Sequence, residues 1–322
     1  MRTLAVLTSG GDAPGMNAAI RAVVRLADAR GVRVLGVRRG YEGLVAGEAE
    51  VLSARDVGNI IHRGGTMLGA SRSAAFRTQE GRARALAVLR GHGVEGLVVI
   101  GGEGSFRGAH TLQQEGGLPV AGVPATIDND VYGTDACIGF DTAVNTALDA
   151  IDRLRDTAES HHRVFFVEVM GRNTGFLALH VALAAGANEV LVPEIPTDLE
   201  DLVERLMTGM RQGRASNIVV VSEGDEAGGA VDIAAHVQAR VPFEVRVAVL
   251  GHIQRGGSPS ARDRILGTRL GAAAVEALLA GRSDVMVGDR GGETVHVPLS
   301  ETWAHRRPLD TGMLPLMKAL AR

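Results

Sequence analysis

Short apolar runs alternate with amphipathic stretches along almost the whole chain. The runs that we predict as β-strands lie at residues 4–7, 32–37, 96–100, 120–123, 164–169, 189–192, 218–221 and 246–250. Apolar runs of this length, separated by helical patterns, are typical of parallel strands whose faces are covered by helices. The pattern therefore predicts an α/β fold built from two successive series of strands.

Two of the helical stretches have clear sequence signals. The first is predicted over residues 14–30, because a proline suits the first turn and a glycine follows the last one. Its apolar side chains recur on one face at Ile20, Val23, Val24 and Ala27. The second helix is predicted over residues 140–157, with Asp141 as its N-cap.

Composition narrows the class of protein. A chain of 322 residues exceeds the usual size of one hydrophobic core, which favours two domains. The formal net charge is -3 and no basic block stands out, so we expect small-molecule partners rather than nucleic acid or a membrane. Cys137 is the single cysteine, and the first residues lack a signal-peptide pattern, so the expected location is the cytoplasm.

Lysine is almost absent from this sequence. Lys318 is the only one, which removes the lysine that a P-loop requires and the buried amine of imine chemistry. Any phosphate group is therefore expected to be bound by arginine and by backbone N–H groups.

Two glycine-rich loops follow predicted strands and open onto helices, at residues 8–15 and 100–105. Such loops bind anions through backbone N–H groups, although one loop alone is equally consistent with a tight turn. Because ligands of open α/β sheets bind at the carboxyl ends of strands, both loops are predicted to face one crevice. Glu103 is a candidate ligand for Mg²⁺ on a nucleotide; the alternative is a solvated acid at a helix start.

A third loop carries Asp128 and Asp130 after the strand at residues 120–123. In an extended segment, two acids at this spacing lie on the same side of the chain. One carboxylate could accept a proton from an attacking hydroxyl while the other orients a sugar. A metal site or a cluster of Asx turns would use the same residues, so this loop is only suggestive.

Several arginines stand near these loops or strands and suit phosphate recognition. Taken singly, most arginines of such a chain are expected to be surface residues. Arg255 is the exception, because glycines on both sides place it in an exposed loop. The candidate arginines are Arg72, Arg77, Arg163, Arg172, Arg246 and Arg255, and His252 is a further candidate beside Arg255.

Five strings together resemble the bacterial ATP-dependent 6-phosphofructokinases over nearly the whole chain: LTSGGDAPGMNAAIR, IGGEGS, PATIDND, EVMGR and LGHIQRGGSP. The resemblance implies two similar α/β/α domains with mostly parallel sheets, an active site between them and a homotetramer. It assigns residues 1–138 and 253–303 to an ATP-binding domain, and residues 139–252 and 304–322 to a fructose 6-phosphate-binding domain. It also implies Mg²⁺-dependent, allosterically regulated phosphorylation of fructose 6-phosphate at the 1-hydroxyl, the committed step of glycolysis.

The resemblance carries over to individual residues. For ATP it implies Gly11, Tyr41, Arg72, Arg77, Gly102, Glu103, Gly104 and Ser105, with Glu103 as the metal ligand. For fructose 6-phosphate it implies Thr126, Asp128, Asp130, Arg163, Met170, Gly171, Arg172, Glu223, Arg246, His252 and Arg255. Asp128 is the expected general base, Thr126, Arg172, Arg72 and Gly11 complete the catalytic set, and Arg163 and Arg246 are expected to serve a neighbouring subunit.

The sequence departs from the family pattern at a few positions. Glu103 stands where aspartate is usual, which puts metal choice and rate in question, and Ala125 stands where glycine is usual. Pyrophosphate-dependent relatives carry Asp at position 104 and Lys at position 125, so Gly104 and Ala125 favour ATP. An effector pocket for ADP or phosphoenolpyruvate maps to Arg21, Arg25, Arg155 and Arg214, with altered effector choice expected from Asn188 and Gln212.

Other functions remain open at this point. The nearest alternative is a pyrophosphate-dependent phosphofructokinase. A catalytically weakened sensor of sugar phosphate or nucleotide is a second alternative, suggested by Glu103 and Ala125 but disfavoured by the intact Asp128. A lipid or NAD kinase lacks the paired acidic and HIQRGG segments, and a dehydrogenase would need G-x-G-x-x-G in the first turn.

Overall fold

The computed structural model describes residues 1–161, 163–213 and 217–320. The chain forms two compact units, the first comprising residues 1–142 and 255–307 and the second comprising the described residues of 143–254 and 308–322. Each unit is an α/β assembly, as predicted. Within the described part of the chain, no helix is long and apolar enough to cross a membrane.

The strands and helices alternate through most of the chain. The strands are β1 (Thr3–Thr8), β2 (Arg33–Val37), β3 (Ala49–Leu52), β4 (Gly96–Gly101), β5 (Val120–Pro124), β6 (Val164–Val169), β7 (Glu189–Leu191), β8 (Asn217–Ser222), β9 (Val245–Val249), β10 (Val285–Arg290) and β11 (Glu293–Pro298). The α-helices are α1 (Met16–Ala29), α2 (Gly40–Ala46), α3 (Gln79–Gly91), α4 (Glu103–Gly116), α5 (Phe140–His161), α6 (Phe176–Ala185), α7 (Leu199–Arg211), α8 (Ala230–Gln238), α9 (Ala261–Leu279), α10 (Glu301–Ala304) and α11 (Met313–Leu320).

The first unit is built on a sheet with the strand order β11-β10-β5-β4-β1-β2-β3. Its central strands are parallel, whereas β3 and β11 at the two edges run antiparallel to their neighbours. Every residue of β1, β4 and β5 is buried, which explains their continuous apolar sequences. All four predicted strands of this series are confirmed. The edge strand β3 and the β10–β11 hairpin are additions that the apolar runs did not predict.

Helix α1 covers one face of this sheet and packs closely against α9. The four side chains predicted on its inner face, Ile20, Val23, Val24 and Ala27, are fully buried. The two helices approach closely because α9 has glycines at the contact. A Cβ on Gly267 would lie 2.8 Å from the Gly15 carbonyl oxygen, and one on Gly271 would lie 2.6 Å from that of Ala19. This packing fixes the start of α1, directly behind the first glycine-rich loop.

The second unit is built on a parallel sheet with the strand order β7-β8-β6-β9. Strands β6 and β8 lie in its centre and are almost wholly buried, while β9 forms an edge and is largely exposed. The four strands predicted for this series are confirmed to within one or two residues at each end.

The predicted N-cap of α5 was wrong. Asp141 lies inside the first turn, where its carboxylate accepts a hydrogen bond from the Ser260 hydroxyl at 2.6 Å. The residue that satisfies the helix start is Asp263 of α9, which is 1% exposed. Its carboxylate accepts hydrogen bonds from the N–H groups of Gly139 and Thr142 at 2.9 and 2.8 Å and from the Thr142 hydroxyl at 2.5 Å. Burial raises the pKa of Asp263.

We expect Asp263→Ala to lower the free energy of unfolding by about 3 kcal/mol, because it removes a buried carboxylate that accepts hydrogen bonds from two N–H groups and a hydroxyl. The matched control is Asp198→Ala, which removes the exposed cap of α7 and should cost about 1 kcal/mol. Urea unfolding followed by circular dichroism measures both. Equal losses for the two variants would contradict the capping role assigned to Asp263.

Candidate functional site

The loops after β1, β4 and β5 lie together at the carboxyl edge of the first sheet. Strand β4 pairs with both β1 and β5 in parallel, so the three strands end side by side. Backbone hydrogen bonds continue beyond the strands. The Ser9 N–H donates to the Ile100 carbonyl at 3.0 Å, and the Ala125 N–H donates to the Gly101 carbonyl at 3.0 Å. The two glycine-rich loops are therefore neighbours at this edge, as the prediction of a shared crevice requires, and the Asp128 loop joins them.

Glycine is required at position 101, where these loops touch. A Cβ on Gly101 would lie 2.4 Å from the Ser9 carbonyl oxygen, so no side chain fits there. A Cβ on Gly11 would lie 2.4 Å from Nη1 of Arg255, which donates a hydrogen bond to the Asp12 carbonyl at 3.3 Å. The guanidinium of Arg255 thus lies directly against the first glycine-rich loop and gives it a fixed positive charge.

Gly104 differs from these glycines because the space around it is open. It lies inside α4, where alanine is about 1 kcal/mol more favourable, and a Cβ there would meet nothing within 4 Å. Neither packing nor backbone conformation requires glycine at this position. The absence of a side chain instead leaves room beside the first turn of α4, where backbone N–H groups attract an anion.

Glu103 begins α4 and is partly exposed, paired with Arg107 one turn later at 2.8 Å. Arg107 in turn lies over the ring of Trp303, 5.2 Å from its centroid. No cluster of three or more His, Cys, Asp or Glu side chains suited to a metal occurs within the described ranges. A single carboxylate beside an anion-binding helix start does fit Mg²⁺, because this ion keeps water and phosphate oxygens as most of its ligands.

An aromatic pair lies against the second glycine-rich loop and includes the nucleotide candidate Tyr41 of α2. Tyr41 stacks on Phe76 with ring centroids 4.0 Å apart, and its hydroxyl donates to the Ser105 carbonyl at 2.5 Å. Tyr41 is buried, which raises the pKa of its hydroxyl. Arg77 follows Phe76 directly in a short 3-10 helix and, like Arg72, is exposed. Tyr41 thus supports the loop, while the two arginines remain accessible to a ligand.

The Asp128 loop is a turn, so the extended backbone predicted for it was wrong. Asn129 has a φ of 54°, in the left-handed region, which the hydrogen bonds of its side chain and carbonyl stabilise. Its Oδ1 accepts from the Cys137 N–H at 2.8 Å, and its carbonyl accepts from Arg307 at 2.8 Å. Asp128 is 2% exposed, and its N–H donates to the Thr126 hydroxyl at 3.2 Å. The turn therefore fixes the backbone conformation at Asp128.

The second unit places another group of candidates at the carboxyl ends of its strands. Gly171 and Arg172 follow β6 with φ angles of 139° and 54°. The Arg172 N–H donates to the Glu223 carboxylate at 2.9 Å, and a Cβ on Gly224 would lie 1.8 Å from the Arg172 carbonyl oxygen. Backbone conformations of this kind persist only where the surroundings hold them. The loop carrying Arg172 is thus preorganised.

The residues around this loop complete the group. The Met170 N–H donates to the side-chain oxygen of Gln254 at 2.8 Å, and Gln254 is fully buried. Glu223 follows β8, and its N–H donates to the Val169 carbonyl at 2.9 Å. His252 is exposed in the short 3-10 helix after β9. Met170, Gly171, Arg172, Glu223 and His252 therefore lie at the same edge of the second sheet.

Arg163 and Arg246 lie at the opposite, amino-terminal edge of that sheet. Arg163 directly precedes β6, whereas Met170 directly follows it. Six residues of strand separate them, which corresponds to about 20 Å at 3.3 Å per residue. Arg246 is aligned with Phe165 near the start of β6. Within one chain, these two arginines are therefore not brought together with Arg172.

The effector candidates are only partly described. Arg21 and Arg25 lie on α1, where Arg25 reaches the Ala54 carbonyl at 3.5 Å. Arg155 on α5 donates to the Ala185 carbonyl at the end of α6. Arg214 lies outside the described residues. Asn188, which replaces an acid of the family pattern, accepts a hydrogen bond from the Ile218 N–H at 2.9 Å.

Sequence reasoning missed three supporting residues. Arg107 could have been found from its spacing, because a position four residues after Glu103 lies on the same helix face. Glu244, which pairs with both Arg163 and Arg246, could have been found from its place two residues before Arg246. Arg307 gave no signal, because its contacts with the carbonyls of Asn129 and Asp135 join segments more than 170 residues apart.

Comparison with known proteins gives one consistent result. A family model described as phosphofructokinase matches residues 3–278. The chain is 59% identical to ATP-dependent 6-phosphofructokinase 1 of Thermus thermophilus and 52% identical to the ATP-dependent 6-phosphofructokinase of Brevibacillus brevis, each over 321 residues and 100% of both chains.

Two solved structures are similar in fold as well as in sequence. The phosphofructokinase structure from Saccharomyces cerevisiae has a TM-score of 0.90 and 34% identity, and the match covers 100% of this chain and 47% of that one. A pyrophosphate-dependent phosphofructokinase from Marinobacter aquaeolei has a TM-score of 0.85 and 27% identity over 97% of this chain and 86% of that one.

The contrast between Gly104 and Gly101 can be tested directly. We expect Gly104→Ala to leave thermal stability unchanged or slightly raised and to weaken adenine-nucleotide binding at least tenfold, because its methyl group fills space left for the ligand. Gly101→Ala should instead lower the free energy of unfolding by more than about 2 kcal/mol. Calorimetric titration with ADP and thermal unfolding measure the two effects. Unchanged ADP affinity in Gly104→Ala would contradict the assignment.

Proposed function

Because the chain belongs to the phosphofructokinase family, we propose that it transfers the terminal phosphoryl group of ATP to the 1-hydroxyl of fructose 6-phosphate, giving fructose 1,6-bisphosphate and ADP. The observation that carries the proposal is the carboxyl edge of the first sheet. There, a buried carboxylate in a rigid turn joins two glycine-rich loops that can hold phosphates. Phosphoryl transfer requires mainly positioning and charge stabilisation from a protein, and this edge supplies both.

Asp128 is the proposed general base. It accepts the proton of the 1-hydroxyl as that oxygen attacks the terminal phosphorus of ATP and ADP leaves. The Asn129 turn and the hydrogen bond from the Asp128 N–H to Thr126 hold the backbone that carries this carboxylate. Thr126 contacts the transferring group, and Asp130 orients the sugar.

Arginines stabilise the charge on the transferring phosphoryl group. Arg72 and Arg172 are proposed for this role, and Arg255 supplies fixed positive charge beside Gly11. Arg172 suits the task because the backbone on both sides of it is held by Glu223 and by the contact with Gly224. Little reorganisation is then needed during the reaction.

Glu103 would hold Mg²⁺ that arrives on the nucleotide. When bound, this ion neutralises negative charge on the β- and γ-phosphates. Glu103 must then exchange its ion pair with Arg107 for the metal. Such an exposed pair contributes only about 0.3–0.5 kcal/mol, so the exchange costs little. The longer side chain of glutamate, compared with the usual aspartate, gives it reach from the start of α4.

The donor is ATP rather than pyrophosphate. Gly104 leaves open space where the pyrophosphate-dependent pattern has an acid. Ala125 replaces the lysine of that pattern, and because its side chain is buried, the added methyl group does not obstruct the loop surface. The identity of 52–59% to ATP-dependent relatives, against 27% to the pyrophosphate-dependent structure, supports the same choice.

Arg163 and Arg246 are proposed to bind the 6-phosphate in the site of a second copy of the chain. The support is their place at the amino-terminal edge of the second sheet, about 20 Å of strand away from Met170 and Arg172. A homotetramer, as the family resemblance implies, would bring such residues to a neighbouring site. The proposed effector pocket at Arg21, Arg25 and Arg155, which would take ADP or phosphoenolpyruvate, also belongs to this oligomer.

We expect Asp128→Asn to lower kcat for the ATP-dependent reaction by about 10²–10⁴-fold, because the attacking hydroxyl loses its proton acceptor. The KM for fructose 6-phosphate should change by less than a factor of about three, since hydrogen bonding to the sugar persists. Coupled detection of ADP measures both quantities. Asp149→Asn, on the exposed face of α5, is the control and should behave as the wild type. A kcat above one tenth of wild type would exclude Asp128 as the base.

Mixing two defective chains tests the exchange of arginines between copies. Asp128→Asn chains and Arg163→Ala/Arg246→Ala chains should each be nearly inactive alone at low fructose 6-phosphate. Coexpressed, they should regain activity, because a hybrid contains sites with an intact base and intact neighbouring arginines. Coexpression of Asp128→Asn chains with a triple variant carrying all three substitutions is the control. Hybrids that form but show no regained activity would contradict the proposal.

A further inference from the structure

Glu244 contacts both of the arginines that we assign to the 6-phosphate. Its Oε2 atom pairs with Nε of Arg163, and its Oε1 atom pairs with Nη2 of Arg246. One carboxylate therefore bridges two guanidinium groups.

The sheet creates this arrangement. Strands β6 and β9 are parallel neighbours, with Val164 aligned with Val245 and Phe165 with Arg246. The Val164 N–H donates to the Glu244 carbonyl at 3.1 Å, which fixes the two strand starts against each other. Glu244 directly precedes β9 and Arg246 is the second residue of that strand, and their side chains form an ion pair. Arg163 enters the same space from the start of β6.

The carboxylate makes contacts that a phosphate group would also make. Guanidinium groups bind carboxylate and phosphate oxygens with similar planar geometry and the same sign of charge. In the single chain, the side chain of Glu244 is 39% exposed, and those of Arg163 and Arg246 are 26% and 53% exposed. Solvent-exposed pairs of this kind are weak, and each is worth only about a two- to threefold change in an equilibrium constant. An incoming phosphate dianion can therefore displace the carboxylate.

We propose that Glu244 is an internal counter-anion that occupies Arg163 and Arg246 until the 6-phosphate of the substrate displaces it. Its displacement costs two ion pairs, and this cost lowers the affinity for fructose 6-phosphate. This inference rests on the proposed function, because that function assigns the two arginines to the 6-phosphate.

Glu244→Gln tests the inference, because it keeps the shape of the side chain and removes its charge. We expect the KM for fructose 6-phosphate to fall about fivefold, from the loss of two competing ion pairs, with kcat within a factor of two of wild type. Calorimetric titration of fructose 6-phosphate without ATP should show the same fivefold gain in affinity. Glu244→Asp keeps the competing charge and should remain within twofold of wild type in KM.

A matched control exists on the same unit. The carboxylate of Glu200 contacts the side chains of His236 at 3.1 Å and Arg240 at 3.0 Å, and neither is assigned to a ligand. Glu200→Gln removes the same charge from a carboxylate that also contacts two side chains, so its KM and affinity for fructose 6-phosphate should match the wild type. An equal gain in both glutamine variants would show a general effect of net charge and would overturn the specific role of Glu244.

The direction of the change in KM shows whether Glu244 competes with the substrate or only supports the two arginines. A KM for Glu244→Gln that is unchanged or higher than wild type would overturn the proposal, because the carboxylate would then not compete with the substrate. Failure of the proposed function has a different signature. In that case the wild-type protein shows no ATP-dependent turnover. Calorimetry would still compare the affinities of Glu244→Gln and wild type for fructose 6-phosphate, because this measurement needs no turnover.

Discussion

The alignment of three strand ends is the constraint on which the first unit depends. Strands β1, β4 and β5 are parallel neighbours, and the Ser9–Ile100 and Ala125–Gly101 hydrogen bonds extend their pairing into the loops. These bonds hold the glycine-rich loops and the Asp128 turn at one edge of the sheet. Glycine is obligatory at position 101, where the loops touch, and is free of packing constraints at position 104. A position in close contact with the neighbouring loop and a position beside open space thus lie three residues apart.

In the second unit, candidate binding residues lie at both ends of the strands. The carboxyl edge carries Met170, Arg172 and Glu223 in a loop held by hydrogen bonds and by positive-φ backbone. The amino-terminal edge carries Arg163 and Arg246, bridged by Glu244. A rigid strand cannot bring its two ends to one ligand. The separation of these groups within a chain is the observation that supports the proposal of arginines shared between copies.

Local patterns in the sequence predicted most of the fold. Buried parallel strands are apolar along their whole length, so β1, β4, β5, β6 and β8 could be read directly, and the inner face of α1 followed from its period. The edge strands β3 and β11 mix apolar with polar residues because one side faces solvent, and the apolar runs missed both; they also missed β10, which is mostly buried. The glycine-rich loops were found because their glycines follow apolar runs immediately.

The sequence could not reveal contacts between distant segments. Asp263 caps α5 from more than 120 residues away, and Arg307 reaches the Asp128 turn from the far end of the first unit. The local argument favoured Asp141 as the cap and an extended backbone at residues 128–130, and both predictions were wrong. In each case, a side chain from a distant segment forms hydrogen bonds with backbone groups, and the local sequence gives no signal of that contact. Placing the candidate residues therefore required the structure, whereas naming them did not.

The most direct test of the account is turnover of fructose 6-phosphate with Mg²⁺ and either ATP or pyrophosphate as donor, with the product identified by ³¹P NMR. The account predicts fructose 1,6-bisphosphate and ADP from ATP, and no phosphoryl transfer from pyrophosphate. Turnover with pyrophosphate alone would contradict the roles assigned to Gly104 and Ala125. Absence of transfer from both donors, in protein that binds fructose 6-phosphate, would contradict the proposed reaction itself.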